Sequence, residues 1–121
     1  MKRLILAAML FGAIPGAWGR DAGGSYATVE ARSCADYLQD QQARGFAYNA
    51  DAAWVAGYLT AYNALTPDTG DILGSTDMSG AMLWLQDYCK AHPSQGLAAG
   101  TAALTAELQP RRLRMMGGAG R

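Results

Sequence analysis

The two cysteines of this chain, Cys34 and Cys89, restrict its fold more than any other feature, because they are the only cysteines among its 121 residues. In an oxidising compartment, an even pair of cysteines in a small chain indicates a disulfide. Two free thiols are the alternative. A disulfide between them would close a loop of about 55 residues. In the chain-entropy model it would contribute about 4 kcal/mol, a large share of the stability of a small domain.

Residues 1–19 predict such a compartment, because they have the pattern of a cleavable secretory signal peptide. A positive start leads into an apolar run from Leu4 to Ile14, and the small residues Ala17 and Gly19 precede Arg20. The apolar run is too short to cross about 30 Å of hydrocarbon. We therefore expect an exported protein, located in the periplasm, with no membrane span in its mature form.

Charge is unevenly distributed along a chain whose formal net charge is zero. Residues 21–110 contain ten acidic and three basic residues, a net charge of −7, whereas residues 111–121 carry four arginines. Nucleic-acid binding needs a basic face, so the acidic body argues against it. An acidic body suits a basic protein partner, or simply solubility.

Apolar spacing and capping residues predict four helices in residues 33–110, with no strand pattern. Ser33 is the predicted N-cap of the first helix, which ends at Gly45, and Pro93 follows the end of the third. The predicted fold is all-α: a small single-domain bundle of about four helices stapled by one disulfide. The predicted segments are a flexible lead-in at 20–32, a connector at 45–51, a loop at 66–77 and a disordered basic tail at 111–121. Helices are predicted at 34–44, at about 50–65, from Asp77 or Ser79 to His92, and within 94–110. The last helix has an apolar stripe of Leu97, Thr101, Leu104 and Leu108 and is closed by Pro110.

The stretch WVAGYLTAYN, residues 54–63, predicts a central helix. Trp54, Tyr58 and Tyr62 share one stripe, and the whole apolar arc is about twice as wide as that of an ordinary surface helix. We therefore expect neighbours on more than one side. Gly57 lies at the edge of the arc, where a missing side chain would let another backbone approach closely.

The third predicted helix has one clean apolar face formed by Met78, Met82, Leu85 and Cys89, with Trp84 beside it. Together the two helices supply the residues that we expect in the core or in a client-binding surface. These are Trp54, Gly57, Tyr58, Tyr62, Met78, Met82, Trp84 and Leu85.

Catalytic chemistry finds little support in the sequence. His92 is the only histidine and precedes Pro93 at a helix end, which favours a structural role over that of a general base. Zinc needs several His or Cys ligands, and the acidic loop that contains Asp68, Asp71 and Asp77 lacks the spacing of an EF-hand. We expect no catalytic residue, cofactor or metal.

Three segments, SCADYL, WVAGYLTAYN and WLQDYCKAHPSQGLAAGTAAL, resemble the HdeA/HdeB family of periplasmic acid-stress chaperones. The most specific element is Cys34 combined with Tyr88, Cys89, Lys90 and Pro93, and the resemblance covers residues 33–108. It implies a compact helical domain with one disulfide, often a homodimer. In strong acid such a domain loosens or dissociates and presents apolar surface to unfolding client proteins.

A second resemblance leaves the function open. The Gly57-Tyr58-Leu59 segment is also similar to exported helical proteins that include the immunity proteins of type VI secretion systems. Those bind and block a toxin, and an acidic body would suit a basic toxin. The alternatives are therefore a client-binding chaperone, an inhibitor of one toxin, and an exported structural or assembly protein.

Acid sensing can also be argued from the residues. Carboxylates gain protons at roughly pH 3 to 5, so residues 21–110 would move from −7 towards +4 when His92 is counted. Under this hypothesis, acid splits a dimer and exposes Trp54, Tyr58, Met78 or Met82. The alternative is that acid simply denatures the domain.

Overall fold

The computed structural model describes residues 26–115. The predicted signal peptide at 1–19, residues 20–25 and the end of the tail at 116–121 lie outside this range. The described part of the chain forms four α-helices and no strand, so the prediction of an all-α bundle of about four helices is confirmed. The helices are α1 (Cys34–Ala43), α2 (Phe46–Leu65), α3 (Met78–Ala91) and α4 (Leu97–Leu108), with a 3₁₀ turn at Gln109–Arg111.

The disulfide between Cys34 and Cys89 is present and joins the first turn of α1 to the last turn of α3. Both cysteines are fully buried. Beside them, the Tyr37 hydroxyl donates a hydrogen bond of 2.6 Å to the Met82 carbonyl, so α1 and α3 are also held by a polar contact inside the core. The predicted pairing of the cysteines is confirmed.

Local capping signals place two helix starts correctly. The Ser33 hydroxyl accepts the backbone N–H of Asp36 at 3.1 Å, and the Asp77 carboxylate accepts that of Gly80 at 2.8 Å. The predicted apolar stripe of the last helix is also buried, with Leu97, Thr101, Leu104 and Leu108 all turned inward.

The junction between α1 and α2 differs from the prediction. Arg44, not Gly45, has the left-handed backbone (φ 54°) that ends α1, and Gly45 is the N-cap of α2. The helix then begins at Phe46, so the predicted connector at 45–51 is mostly helical. No proline or glycine interrupts residues 46–56, and the Arg44 guanidinium lies 4.8 Å from the centre of the Tyr48 ring. These features allow α2 to start one turn earlier.

The loop between α2 and α3, residues 66–77, supplies part of the core. Ile72 and Thr69 are buried, and the Ile72 N–H donates to the Asn63 side chain at 2.8 Å. The chain after α4 closes over this loop, because Leu113 exchanges backbone hydrogen bonds with Asp71. The prediction of a disordered tail at 111–121 therefore does not describe its first residues.

Candidate functional site

The apolar arc of α2 is divided between the core and the surface. Its buried stripe consists of Asp51, Val55 and Leu59, at intervals of four residues. The predicted aromatic stripe lies beside it: Trp54, Tyr58 and Tyr62 are half-buried and pack against the edge of the core. Leu65, on the same flank, is 83% exposed.

The prediction for Gly57 is wrong. Gly57 is exposed, and no atom lies within 4 Å of the position that a Cβ would occupy, so no backbone approaches it. The reason is geometric: Gly57 lies about 200° around the helix from Val55, on the side away from the core. The close approach occurs instead at Gly100 of α4, where an added Cβ would be 2.9 Å from the Tyr88 ring and 3.1 Å from Leu85.

This contrast predicts opposite effects for two identical substitutions. Gly57→Ala should raise the free energy of unfolding by about 0.5–1 kcal/mol, because alanine favours an exposed helix and meets no neighbour. Gly100→Ala should lower it by about 1–3 kcal/mol through overpacking against Tyr88 and Leu85. Urea unfolding of both variants beside the native protein measures the difference. Effects of the same sign at the two positions would contradict the assignment of the outward side of α2.

A pocket of about 380 Å³ lies between α2 and the segment that precedes α1. We call residues 26–32 the strap. The Trp54 indole N–H donates a hydrogen bond of 2.7 Å to the Val29 carbonyl, which holds the strap across the helix. The sequence predicted a flexible lead-in at 20–32, and the contact between Val29 and Trp54 was not predicted. The pocket is lined by Tyr26, Ala27, Thr28, Val29, Ala53, Trp54, Gly57 and Tyr58.

A second hollow, of about 320 Å³, continues along α2 from Tyr58 to Leu65 and Thr66. Because Tyr58 borders both hollows, they form one surface along the helix. We call this surface the α2 face. Its members are Ala53, Trp54, Gly57, Tyr58, Ala61, Tyr62 and Leu65.

The α2 face carries no charge. Among the 20 residues of α2, Asp51 is the single charged one, and it is buried. Asn49, Ala53, Gly57, Ala61 and Leu65 follow one another at intervals of four and are all exposed. From Ala53 to Leu65, the α2 face extends about 18 Å along the helix. A contiguous, uncharged apolar surface marks an interaction site more often than a surface with scattered apolar side chains does.

Behind this surface, the buried Asp51 belongs to a charge cluster with Asp40 and the half-exposed Arg32. One Arg32 Nη atom lies 2.7 Å from the Asp40 carboxylate, and the Arg32 Nε lies 3.7 Å from Asp51. Asp51 is 2% exposed, and its Oδ2 accepts no hydrogen bond from any described group. The pKa of Asp51 is raised from 3.8 to about 7, first by burial and then by the nearby Asp40 carboxyl, whose effect exceeds the lowering by Arg32. A proton on Asp51 would let it donate to Asp40.

The remaining predicted site residues lie on α3, away from the α2 face. Met82 and Leu85 are buried in the core, whereas Met78 and Trp84 are half-buried at its edge. The Trp84 ring stacks on Tyr88. The structure thus separates the eight predicted residues into an α3 group and an α2 group. Sequence reasoning missed the strap and the Arg32 cluster, although a lone charge within an apolar helix is a signal that could have pointed to Asp51.

No group of three or more His, Cys, Asp or Glu side chains in residues 26–115 is arranged to hold a metal ion. No helix of the described part is both long and apolar enough to cross a membrane.

Comparison with known proteins does not identify a function for the α2 face. No family model, no curated protein and no solved structure matches this chain. The resemblance of residues 33–108 to the HdeA/HdeB family accordingly stays a prediction. The structural features that bear on function are the strap, the charge cluster and the α2 face.

Proposed function

We propose that this protein is a non-enzymatic, exported chaperone-like protein that binds apolar segments of unfolding proteins in acid through the α2 face. The observation that carries the proposal is the uncharged surface of α2, about 18 Å long and bordered by Trp54, Tyr58 and Tyr62. Aromatic side chains provide large contact areas at a low entropic cost.

The charge pattern supports binding in acid. The α2 face contains no titratable carboxylate or amine, so its attraction for an apolar segment does not depend on pH. The rest of the body loses its negative charge as carboxylates gain protons at roughly pH 3 to 5, and its arginines, Lys90 and His92 then leave it cationic. Repulsion between cationic complexes would keep a bound client in solution.

An inhibitor of one secreted toxin is the second function that an observation favours. At neutral pH residues 21–110 carry a net charge of −7, which would attract a basic protein. This alternative requires one tight partner at neutral pH, whereas a chaperone binds many unrelated clients in acid. The two functions therefore differ in both the number of partners and the pH at which they bind.

A charge placed on the α2 face tests the chaperone proposal. Ala61→Lys should reduce protection of a purified, acid-sensitive enzyme at about pH 3 by at least about fivefold, because the lysine must lose water when a client covers it. Ala106→Lys is the matched control, since Ala106 is exposed on α4, outside the face. Light scattering of the enzyme reports the protection.

The outcomes separate clearly. Loss of protection with Ala61→Lys but not with Ala106→Lys supports binding at the α2 face. Equal protection by both variants would show that clients bind elsewhere. No protection by the native protein at stoichiometric excess would reject the chaperone function and favour a search for one tight partner at neutral pH.

A further inference from the structure

The strap covers part of the surface to which we assign binding. Its residues Tyr26 and Val29 form one wall of the pocket, and Trp54 of α2 forms the other. The Trp54 indole N–H is satisfied by the Val29 carbonyl. The strap therefore lies where an extended apolar segment of another protein would lie, and removing it would turn the pocket into an open groove.

Arg32 fixes the end of the strap next to α1. Its carbonyl accepts the backbone N–H of Leu97 at 2.8 Å, so the main chain is held at the start of α4. Its side chain reaches Asp40 of α1, where Nε donates a hydrogen bond of 2.9 Å to the carboxylate, and Asp51 of α2. One cation thus connects the strap to two helices through two carboxyl groups.

The surroundings of this cluster are mainly acidic. Asp36 lies near enough to act on Arg32 and on Asp51, and the Tyr37 hydroxyl, whose pKa burial raises, remains neutral. Gly96 and Leu97, at the start of α4, meet the strap through their backbone. The titratable and charged groups that face the cluster are Asp36, Tyr37, Asp40 and Arg44 from α1 and its C-cap, and Tyr48 and Asp51 from α2.

We propose that Arg32, Asp40 and Asp51 form an acid-released latch, which frees the strap from Trp54 and opens the α2 face when both carboxyl groups are protonated. The proposal concerns regulation of the surface described above and rests on the proposed function for its biological purpose. The latch predicts a change in the position of the strap relative to Trp54, which can be measured without any client protein.

The two protons act in a defined order. Asp51 binds the first, because burial already raises its pKa, and the Arg32–Asp40 pair then remains as one cation with one anion. The latch stays closed at this stage. In stronger acid, where carboxyl groups in general become neutral, Arg32 has no anionic partner and its half-exposed guanidinium is solvated instead. Neutral Asp51 suits its buried position, so the bundle stays folded while the strap opens.

Quenching of Trp54 fluorescence by acrylamide, a neutral quencher, tests the latch in the disulfide-bonded protein that lacks the predicted signal peptide, and with it Trp18, and carries Trp84→Phe. Quenching of Trp54 should rise at least about twofold between pH 7 and pH 3 without loss of the helical circular dichroism signal, because local opening precedes global unfolding. Arg32→Gln should give the open value already at pH 7. Arg111→Gln, which removes an exposed arginine paired with Glu107, should behave like the parent protein.

Two results would overturn the latch. One is parent-like quenching of the Arg32→Gln variant at pH 7, and the other is opening that occurs only together with loss of helical signal. The indole N–H signal of Trp54 in a ¹H–¹⁵N spectrum gives the same comparison without the Trp84 substitution. If the strap opens as expected but Ala61→Lys leaves client protection intact, the latch holds and the proposed binding function fails.

Discussion

Replacing Cys34 and Cys89 with serine should lower the free energy of unfolding by about 4 kcal/mol, the largest effect that we expect from any change at two positions. The disulfide closes a loop of 55 residues that contains all of α2 and most of α1 and α3. Without it, the unfolded chain regains the conformations that the closed loop excludes. Urea denaturation of the double variant beside the oxidised protein measures the loss.

Reduction of the native protein is the matched control, because it breaks the same bond without changing a side chain. Both treatments should shift the unfolding midpoint by a similar amount. Both should also weaken protection of clients in acid, where the bundle must stay folded while the strap opens. A loss below about 1 kcal/mol would show that packing between α1 and α3 carries the stability that we assign to the disulfide.

Replacing Asp51 with asparagine should remove most of the dependence of stability on pH between about 4 and 8. The pKa of Asp51 is raised from 3.8 to about 7 in the folded protein, so the folded state binds the proton more tightly than the unfolded state does. The free energy of unfolding therefore rises as pH falls through this range and is lowest above pH 7. Asparagine keeps the shape without the charge, so the variant should be more stable at pH 8 by roughly 2–4 kcal/mol.

Asp87→Asn provides the control, because Asp87 is exposed on α3, away from the cluster. It should leave the pH profile unchanged. Thermal unfolding at several pH values from about 4 to 8 gives the three profiles. If the profile of Asp51→Asn runs parallel to that of the native protein, Asp51 is not protonated on folding, and the first step of the latch is wrong.

Features that depend on neighbouring residues could be predicted from the sequence. The caps at Ser33 and Asp77 act over three residues, and the buried stripe of α4 follows the helical spacing of four, three and four residues. The disulfide followed from having two cysteines and a signal-like start. Local chemistry determines each of these features, so the all-α bundle could be predicted from the sequence.

Features that depend on contacts between residues distant in the sequence could not be predicted. The apolar arc of α2 is wide, and periodicity alone cannot tell a core stripe such as Val55 and Leu59 from an exposed apolar face. That choice is made by α1, α3 and α4, which pack against one side of the helix. Gly57 is exposed because it lies on the opposite side of α2 from these three helices.

The candidate site was hidden for the same reason. The strap is separated from Trp54 by 25 residues in the chain, and Arg32 meets Asp51 across the start of α1. No local pattern marks either contact. The sequence did place Trp54, Tyr58 and Tyr62 on one stripe, so the prediction named members of the α2 face while leaving open whether they lie in the core or in a client-binding surface.

The most direct test of the account is to map where a client binds. A ¹H–¹⁵N spectrum of the folded, oxidised protein at about pH 3 would be recorded with and without an acid-unfolded client protein. We expect loss or shift of the signals of Ala53, Gly57, Ala61 and the Trp54 indole, with the signals of Ala106 on α4 unchanged. Changes confined to α3 or α4, or none at all while the client is protected from aggregation, would contradict the claim that the α2 face is the binding surface.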